Sequence, residues 1–368
     1  MAGCDNGTAM SAANPRYLGE TVAVKAAHRF DEHKLDSYLQ GCVPGYRGPL
    51  TVQQFEGGQS NPTYLLVTPE RQYVLRRKPP GQLLKSAHAV DREFRVIRAL
   101  SGAGFAVPEA LALCEDESVV GTMFYVMSHV PGRVFLDCTL PDLAPAQRRE
   151  VFDSVIDTLA HLHTLDPVTL GLGDFGRPGN YFGRQIARWS QQYEASKTAD
   201  IPAMDKLIAW LPGATPPEDG LACLIHGDYS FHNVLVHPTQ THVVAVVDWE
   251  LSTIGHPLGD FMYHMMAWYR PDGVDSRGSL RDADLKALGI PSFDESVRRY
   301  CERTGRVLPE NLAFYRAYHL FRVAAILQGV AGRLRDGTAA AANAAELAAR
   351  VAPLASAAWM EAQAAGAV

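Results

Sequence analysis

Cysteine pairs, long apolar runs and excess positive charge are all missing from this 368-residue chain. The six cysteines, Cys4, Cys42, Cys114, Cys138, Cys223 and Cys301, include no C-x-x-C pair. They supply neither the ligand spacing of a zinc framework nor the density of a disulfide scaffold, and they fit a reducing compartment. Nowhere do 18 apolar residues follow one another, so no membrane-spanning helix is expected. The opening "MAGCDNGTAMSAANPRY" lacks the basic segment and apolar run of an export signal. Lys and Arg number 34 against 40 Asp and Glu, a formal net charge of −6, the wrong balance for a surface that coats nucleic acid. A soluble cytoplasmic protein is expected, with neither nucleic acid nor membrane as partner, and its oligomeric state is not written in the sequence.

With 47% hydrophobic residues, the chain can bury one large core or two modest ones, and its length favours two units. Residues 1–20 are small and polar and read as a flexible N-terminus. From Leu50, "LTVQQF", "TYLLVT" and "YVLRRK" are β-prone runs separated by "EGGQSNP" and "PERQ", the pattern of an antiparallel meander. Ser86 can cap a following helix whose apolar face is Val90, Phe94, Ile97 and Leu100, with Glu93 at its border and "SGAG" as its stop. "GTMFYVMSHVPG" reads as a strand broken at Pro131 and Gly132, which makes 21–130 one lobe and 131–368 another.

The second lobe is mainly helical. Phe152, Val155, Ile156, Leu159 and Leu162 form one stripe, closed by Pro167. Further helices are expected over Tyr181–Glu194, in "DESVRRYCERTG" up to Gly305, over Leu312–Leu334, and in the alanine-rich tail from Ala339. Between them stands "LIHGDYSFHNVLV", followed by "HPTQ" and "THVVAVVDWE". Two short strands joined by a proline turn place Asp228 and Asn233 on the loop entering the first strand and Asp248 at the exit of the second. Asp and Asn taken singly are ordinary turn formers, but His226, Gly227, Asp228, Asn233 and Asp248 at fixed offsets form a motif. Oxygen-bearing side chains gathered at one end of a hairpin suit magnesium, which shares its ligands with substrate phosphates and so implies a nucleotide.

"HGDYSFHN", "VVDWE" and "GHPLGD", in that order, resemble the aminoglycoside phosphotransferase and choline kinase superfamily, relatives of protein kinases. The resemblance implies an α+β, bilobal protein-kinase-like fold, with an N-terminal antiparallel sheet lobe carrying one main helix and a larger, mainly helical C-terminal lobe. It also implies ATP and Mg2+ as cofactors and a small-molecule hydroxyl acceptor. Asp228 would be the catalytic base, His226 would order the catalytic loop, Asn233 and Asp248 would bind metal, and Asp260 would support the loop.

In the first lobe, Gly57 and Gly58 would allow close approach to phosphates, with Ser60 and Asn61 as added donors. The stretch departs from the G-x-G-x-x-G of protein kinases, and a plain hairpin turn accounts for it equally well. Arg76 aligns with the kinase lysine and Glu93 with its partner, while strand alternation leaves Arg77 and Lys78 open. Residues Met127 to Val130, His129 among them, match the hinge that meets adenine. "DFG" at Asp174–Gly176 precedes His226, whereas the kinase metal motif follows the catalytic loop, so it is read as a coincidence.

"GGQSNPTYLL", "YVLRRKPPG", "DREFRVIRAL", "FYVMSHVPGR" and "GNYFGRQIARW" are especially similar to the kinase-like domain fused, in some animal proteins, to an acyl-CoA dehydrogenase. That similarity implies a hydroxyacyl-CoA as acceptor. Arg184 and Arg188 share a helix face with Trp189 and Tyr193 nearby, a candidate acceptor contact whose plain alternative is a solvated arginine edge over buried aromatics. An aminoglycoside or macrolide phosphotransferase and a catalytically silent, nucleotide-binding pseudokinase are the competing readings.

Overall fold

The computed structural model describes residues 21–56, 61–79, 89–338 and 343–368. Gly57, Gly58, Ser60 and Ser86, named above, lie outside the described residues. The first lobe is built on a six-stranded antiparallel sheet of order β1-β2-β3-β4-β6-β5. Its strands are β1 (Thr21–Val22), β2 (Thr51–Phe55), β3 (Thr63–Val67), β4 (Gln72–Arg77), β5 (Ala110–Cys114) and β6 (Phe124–Ser128). The expected meander is β2 to β4. The sequence reading missed β1, β5 and helix α1 (Glu32–Cys42), whose N-cap Asp31 accepts from the N–H groups of His33 and Lys34.

Side chains of the sheet alternate between two cores, as the period of two demands. Tyr64, Leu66, Tyr73, Leu75, Phe124 and Val126 pack with Leu35 and Leu39 of α1 on the outer face. Val74, Tyr125 and Met127 face the other way and join the large core below. The alternation also separates the two arginines of β4, because Arg76 shares the face of Val74 and Arg77 that of Leu75.

Helix α2 (Val90–Gly102) buries Val90, Phe94, Ile97 and Leu100, the stripe its spacing predicts, and begins at Ala89 without a side-chain cap. Its outward arginines hold the second lobe. Arg92 donates to the Phe175 carbonyl at 2.7 Å and lies over the Phe175 ring at 4.1 Å, while Arg95 donates to the Gly171 carbonyl at 2.8 Å and pairs with Asp174. The "DFG" stretch thus serves as a contact for α2, where Gly176 packs so closely that a Cβ would sit 2.5 Å from the Ile254 nitrogen.

After short α3 (Glu117–Val120), the second lobe contains α4 (Pro145–Thr164), α5 (Tyr181–Ser196) and α6 (Pro202–Ala214). Pro145 opens α4 at a first-turn position where its missing N–H costs nothing. The sequence reading missed α6 because prolines stand at both its ends, Pro202 in its first turn and Pro212 in its last. The lobe continues through α7 (Leu258–His264), α8 (Leu285–Leu288), α9 (Phe293–Thr304) and α10 (Ala313–Arg335), then the alanine-rich α11 (Ala344–Ala349) and α12 (Val351–Ala364). Helix α10 is buried on most sides, packed between α5 and α12, and the small Ala355, Ala358 and Ala362 give α12 a face that can approach it closely. Among the described residues, no helix is long and apolar enough to cross a membrane.

Two miniature sheets lie under the cleft between the lobes. Strands β8 (Val234–Val236) and β9 (Val243–Val246) form the expected hairpin. A second pair was not foreseen: β7 (Cys223–Ile225) takes the apolar run before His226 and pairs with β10 (Thr253–Gly255).

Candidate active site

The loop from β7 to β8 is held by its backbone. Gly227 has φ +87°, and a Cβ there would lie 2.5 Å from the Leu251 carbonyl oxygen, so the position demands glycine. The backbone N–H groups of His226 and, at 2.6 Å, of Gly227 donate to the carboxylate of Asp260 in the first turn of α7, and His163 Nε2 reaches the same carboxylate at 3.5 Å. Burial opposes the charge on Asp260, but the hydrogen bond and charge of His163, the charge of His226 and the Gly227 N–H outweigh it and hold the carboxyl below its usual range.

His226 is fully buried. Its Nε2–H donates to the Val247 carbonyl at 2.9 Å, and its Nδ1 accepts from the Asp228 N–H at 3.2 Å. Expected from the resemblance to order the catalytic loop, His226 has both ring nitrogens committed within the protein. Its geometry is that of a positioning residue joining the loop before β8 to the loop after β9.

Asp228 keeps 26% of its side chain exposed, its Oδ2 accepting from Asn233 Nδ2 at 3.1 Å with His232 Nε2 at 3.6 Å. Arg277 Nη1 donates to His232 Nδ1 at 2.9 Å, which leaves the proton of a neutral His232 on Nε2, toward Asp228. Burial pushes Asp228 up, yet His232 above all, with Tyr263 and His226, outweighs it and holds the carboxyl well below the usual carboxylate range. A second cation, Arg322 of α10, donates from Nη2 to the Gly227 carbonyl at 2.7 Å.

Asn233 and Asp248 are joined through the hairpin, whose Val247 N–H donates to the Asn233 carbonyl at 2.9 Å. Asp248 has φ +67°, a backbone uncommon for a residue with a side chain though least so for Asp and Asn. Its Oδ1 accepts from Arg76 Nη2 at 2.6 Å. Arg76 Nε also meets Glu93 at 3.0 Å and its Nη2 meets Glu250 at 3.3 Å, while the Trp249 N–H donates to Glu93 Oε1 at 3.2 Å. Three carboxylates therefore converge on one guanidinium. Glu93 is pushed up to about 7, first by burial and then by Asp248 and Glu250, against the pull of Arg76.

The other basic residues of β4 lie elsewhere. Arg77 is consumed on the outer face, donating to Tyr64 Oη at 3.0 Å and to the Val120 and His28 carbonyls at 2.6 and 2.9 Å. Lys78 follows the end of the strand, its backbone held by Met123 and Thr122.

Arg76, Asn233 and Asp248 line one cavity of about 650 Å³, roofed by Val74 and Tyr125 and edged by Met127, Ser128, His129 and Val130. At this edge the His129 N–H is committed to the Gln72 carbonyl and the Ser128 N–H to the Glu109 carbonyl. The Val130 N–H has no such partner among the described residues. Asn61 is buried, with its Nδ2 3.4 Å from Glu250.

The four residues named as acceptor contacts divide. Tyr193 is fully buried and Trp189 nearly so, both within the core. Tyr193 is therefore no acceptor contact; helical spacing placed it beside the arginines without telling which face was covered. Arg184 and Arg188 remain at the surface, and Arg188 lies over the Trp189 ring at 5.1 Å. Sequence reasoning missed Tyr263, Arg277 and Arg322. The last carried a signal, a lone arginine inside the apolar run "YHLFRVAAIL".

The residues present suit magnesium shared with a nucleotide. Among the described residues, no group of three or more His, Cys, Asp or Glu side chains could hold a metal alone, whereas one carboxylate and one carboxamide opening on the same cavity match an ion that takes its remaining ligands from water and phosphate. The excess of carboxylate over cation around Arg76 calls for the same positive charge.

The charge balance makes a pH prediction. A buried carboxyl with a raised pKa gives stability that is full below its unfolded value and is lost as pH rises through its folded one. Wild-type protein without nucleotide should therefore lose thermal stability relative to Glu93→Gln between about pH 4.5 and pH 7. Parallel melting temperatures for the two proteins across that window would refute the assignment.

Comparison with known proteins gives one answer. Residues 51–301 match the phosphotransferase enzyme family. Acyl-CoA dehydrogenase family member 11 of Gallus gallus is 45% identical over 91% of this chain and 44% of its own length. Acyl-CoA dehydrogenase family member 10 of Mus musculus is 43% identical over 90% of this chain and 31% of its own. The chain thus spans less than half the length of these curated relatives. A solved structure from Ralstonia eutropha, provisionally described as an aminoglycoside phosphotransferase, is 47% identical, covers 91% of this chain and 99% of its own, and superposes with a TM-score of 0.84. Choline kinase from Cryptosporidium parvum, 12% identical over 92% of this chain and 98% of its own, shares the fold with a TM-score of 0.62.

Proposed function

The chain belongs to the phosphotransferase enzyme family with a kinase-like fold, and from that premise we propose that it moves the γ-phosphoryl group of ATP to a hydroxyl of a small molecule. The observation that carries the reading is the convergence of Arg76, Asn233 and Asp248 on one cavity, with Asp228 hydrogen-bonded to Asn233. In such a transfer the bond from the acceptor oxygen to phosphorus forms, the bridging P–O bond breaks, and ADP leaves. Phosphoryl transfer asks the protein mainly to position groups and balance charge.

Asp228 accepts the hydrogen bond of the acceptor hydroxyl and takes its proton late, kept ionised by His232, Tyr263 and His226. Arg76, held by Glu93, Asp248 and Glu250, presents its positive charge to phosphate oxygens. Val130 offers its N–H to the adenine edge, and Met127 and Val74 supply apolar walls. Magnesium bound through Asn233 and Asp248 would neutralise phosphate charge. On the motif alone, Gly57, Gly58 and Ser60 are proposed as phosphate-binding residues.

We assign the acceptor to the hydroxyacyl-CoA class. Two findings support this: the relatives whose names refer to acyl-CoA dehydrogenases, and the cation Arg322 near Asp228, which disfavours a polycationic aminoglycoside. Purified chain incubated with ATP and Mg2+ should convert hydroxyacyl-CoA thioesters to products heavier by one phosphate, as read by mass spectrometry. Phosphorylation of an aminoglycoside or macrolide instead would select the antibiotic reading. Nucleotide binding with no turnover on any hydroxyl would select the pseudokinase.

A further inference from the structure

Four arginines on one side of the molecule have no carboxylate partner. Among the described residues, Arg92, Arg177, Arg184 and Arg188 enter no ion pair, and three of the four line one pocket. Arg92 spends its donor on the Phe175 carbonyl, and Arg184 spends two on the carbonyls of Gly179 and Arg177. Bonds to neutral carbonyls leave the charges of Arg177 and Arg184 without a carboxylate, while Arg92 also lies in the field of Asp174. Arg92, Arg177 and Arg184 line an open pocket of about 400 Å³ together with Tyr181 and Thr253. Asp174 also lines it, but its carboxylate is taken by Arg95.

The pocket adjoins the catalytic loop through two routes. Thr253 pairs with Ile225, the residue before His226. The hydroxyl of Tyr181 is pulled down by both Arg322 and Arg184, though burial holds it high overall. Arg322 itself lies over the rings of Trp189 and Tyr263 at 5.7 and 5.0 Å, is 5% exposed, and has Nε and Nη1 without hydrogen-bond partners. Positive charge thus begins at Arg322, in the field of Asp228, and continues outward along α5 through Arg188 and Arg184. The pocket shares no lining residue with the cavity assigned to nucleotide.

We propose that the Arg92–Arg177–Arg184 pocket binds phosphate groups of the acceptor, remote from the hydroxyl that is phosphorylated. The proposal rests on the phosphotransferase reading and deepens it. Guanidinium forks match phosphate oxygens in pairs, and a recess lined by several of them accommodates more than one phosphate. An acceptor anchored in this way is held by its charged end while its hydroxyl reaches Asp228.

The test is calorimetry on the whole chain saturated with Mg2+ and a non-hydrolysable ATP analogue, so that the nucleotide cavity is filled. Coenzyme A is titrated in, and pantetheine, which lacks every phosphate, serves as comparison. Coenzyme A should bind at least about ten-fold more tightly than pantetheine, and Arg177→Ala with Arg184→Ala should remove that advantage without changing analogue affinity. Arg177→Ala alone, at an exposed position, should remove part of it with an unchanged melting temperature. Equal binding of the two ligands, or full coenzyme A affinity in the double variant, would overturn the subsite. Absence of coenzyme A binding to a chain that holds the analogue would overturn it as well, leaving phosphotransfer intact. A chain that cannot hold the analogue would sink the phosphotransferase reading, and the acceptor subsite with it.

Discussion

Asp228→Asn should lower turnover by about 10²–10⁴-fold, the usual contribution of a general base, while nucleotide affinity stays within about three-fold of wild type, a difference below 1 kcal/mol. The two measurements separate because Asp228 and the nucleotide-facing groups are held by different partners. Asp228 is set by Asn233, His232 and Tyr263, whereas Arg76 is set by Glu93, Asp248 and Glu250. Asparagine preserves the shape of the side chain and can still accept from Asn233, but it cannot take a proton at neutral pH. Turnover should be followed with acceptor saturating, and nucleotide affinity by thermal shift with Mg2+ and ATP. An unchanged kcat would remove Asp228 from the chemistry. A loss of nucleotide affinity as large as the loss of turnover would make it a structural residue.

Arg76→Ala should be the most destabilising single change in the cleft, costing about 3–5 kcal/mol as expected when one partner of a buried ion pair is removed. Glu93 is 1% exposed and would be left facing Asp248 and Glu250 with no cation. Adding Glu93→Gln should recover a substantial part of the loss, because the stranded charge disappears. Arg76→Lys should fall between the two, since an ammonium keeps the charge but loses the fork that spans Glu93 and Asp248. Denaturant midpoints of wild type, Arg76→Ala, Glu93→Gln and the double variant provide the cycle, with Arg76→Lys measured beside them, and nucleotide affinity should fall with the charge in all variants that lack it. Strict additivity of the two substitutions would mean that the arginine and the glutamate do not depend on each other.

Much of this was legible because each signal was local. The loop of Asp228 and Asn233 and the exit of Asp248 followed from apolar runs of strand length on either side of polar residues, and the helical stripe of α2 placed Glu93 beside β4. The sheet decided between Arg76 and Arg77 by a rule of period two that the sequence contains, but only once Val74 and Leu75 are known to enter different cores. Other parts depended on distant partners. Strand β7 is three residues long and gains its identity from β10, which lies beyond the hairpin. Helix α6 was hidden by prolines that its ends tolerate. Tyr193 was misassigned because α5 is covered by α10, and only the packed structure shows which side of a helix faces its neighbour. The role of "DFG" was invisible for the same reason, since its partners Arg92 and Arg95 stand about eighty positions earlier in the chain.

Those two arginines have a consequence for control. Regulated protein kinases switch by displacing the helix that carries the glutamate partner of the phosphate-binding cation. Here that helix is clamped at its outer side to the helical lobe, by an aromatic ring, two carbonyls and a carboxylate. It therefore travels with the floor of the cleft, and any breathing of the cleft is a motion of the strands above it. An off state made by swinging the helix outward would first have to strip both clamps.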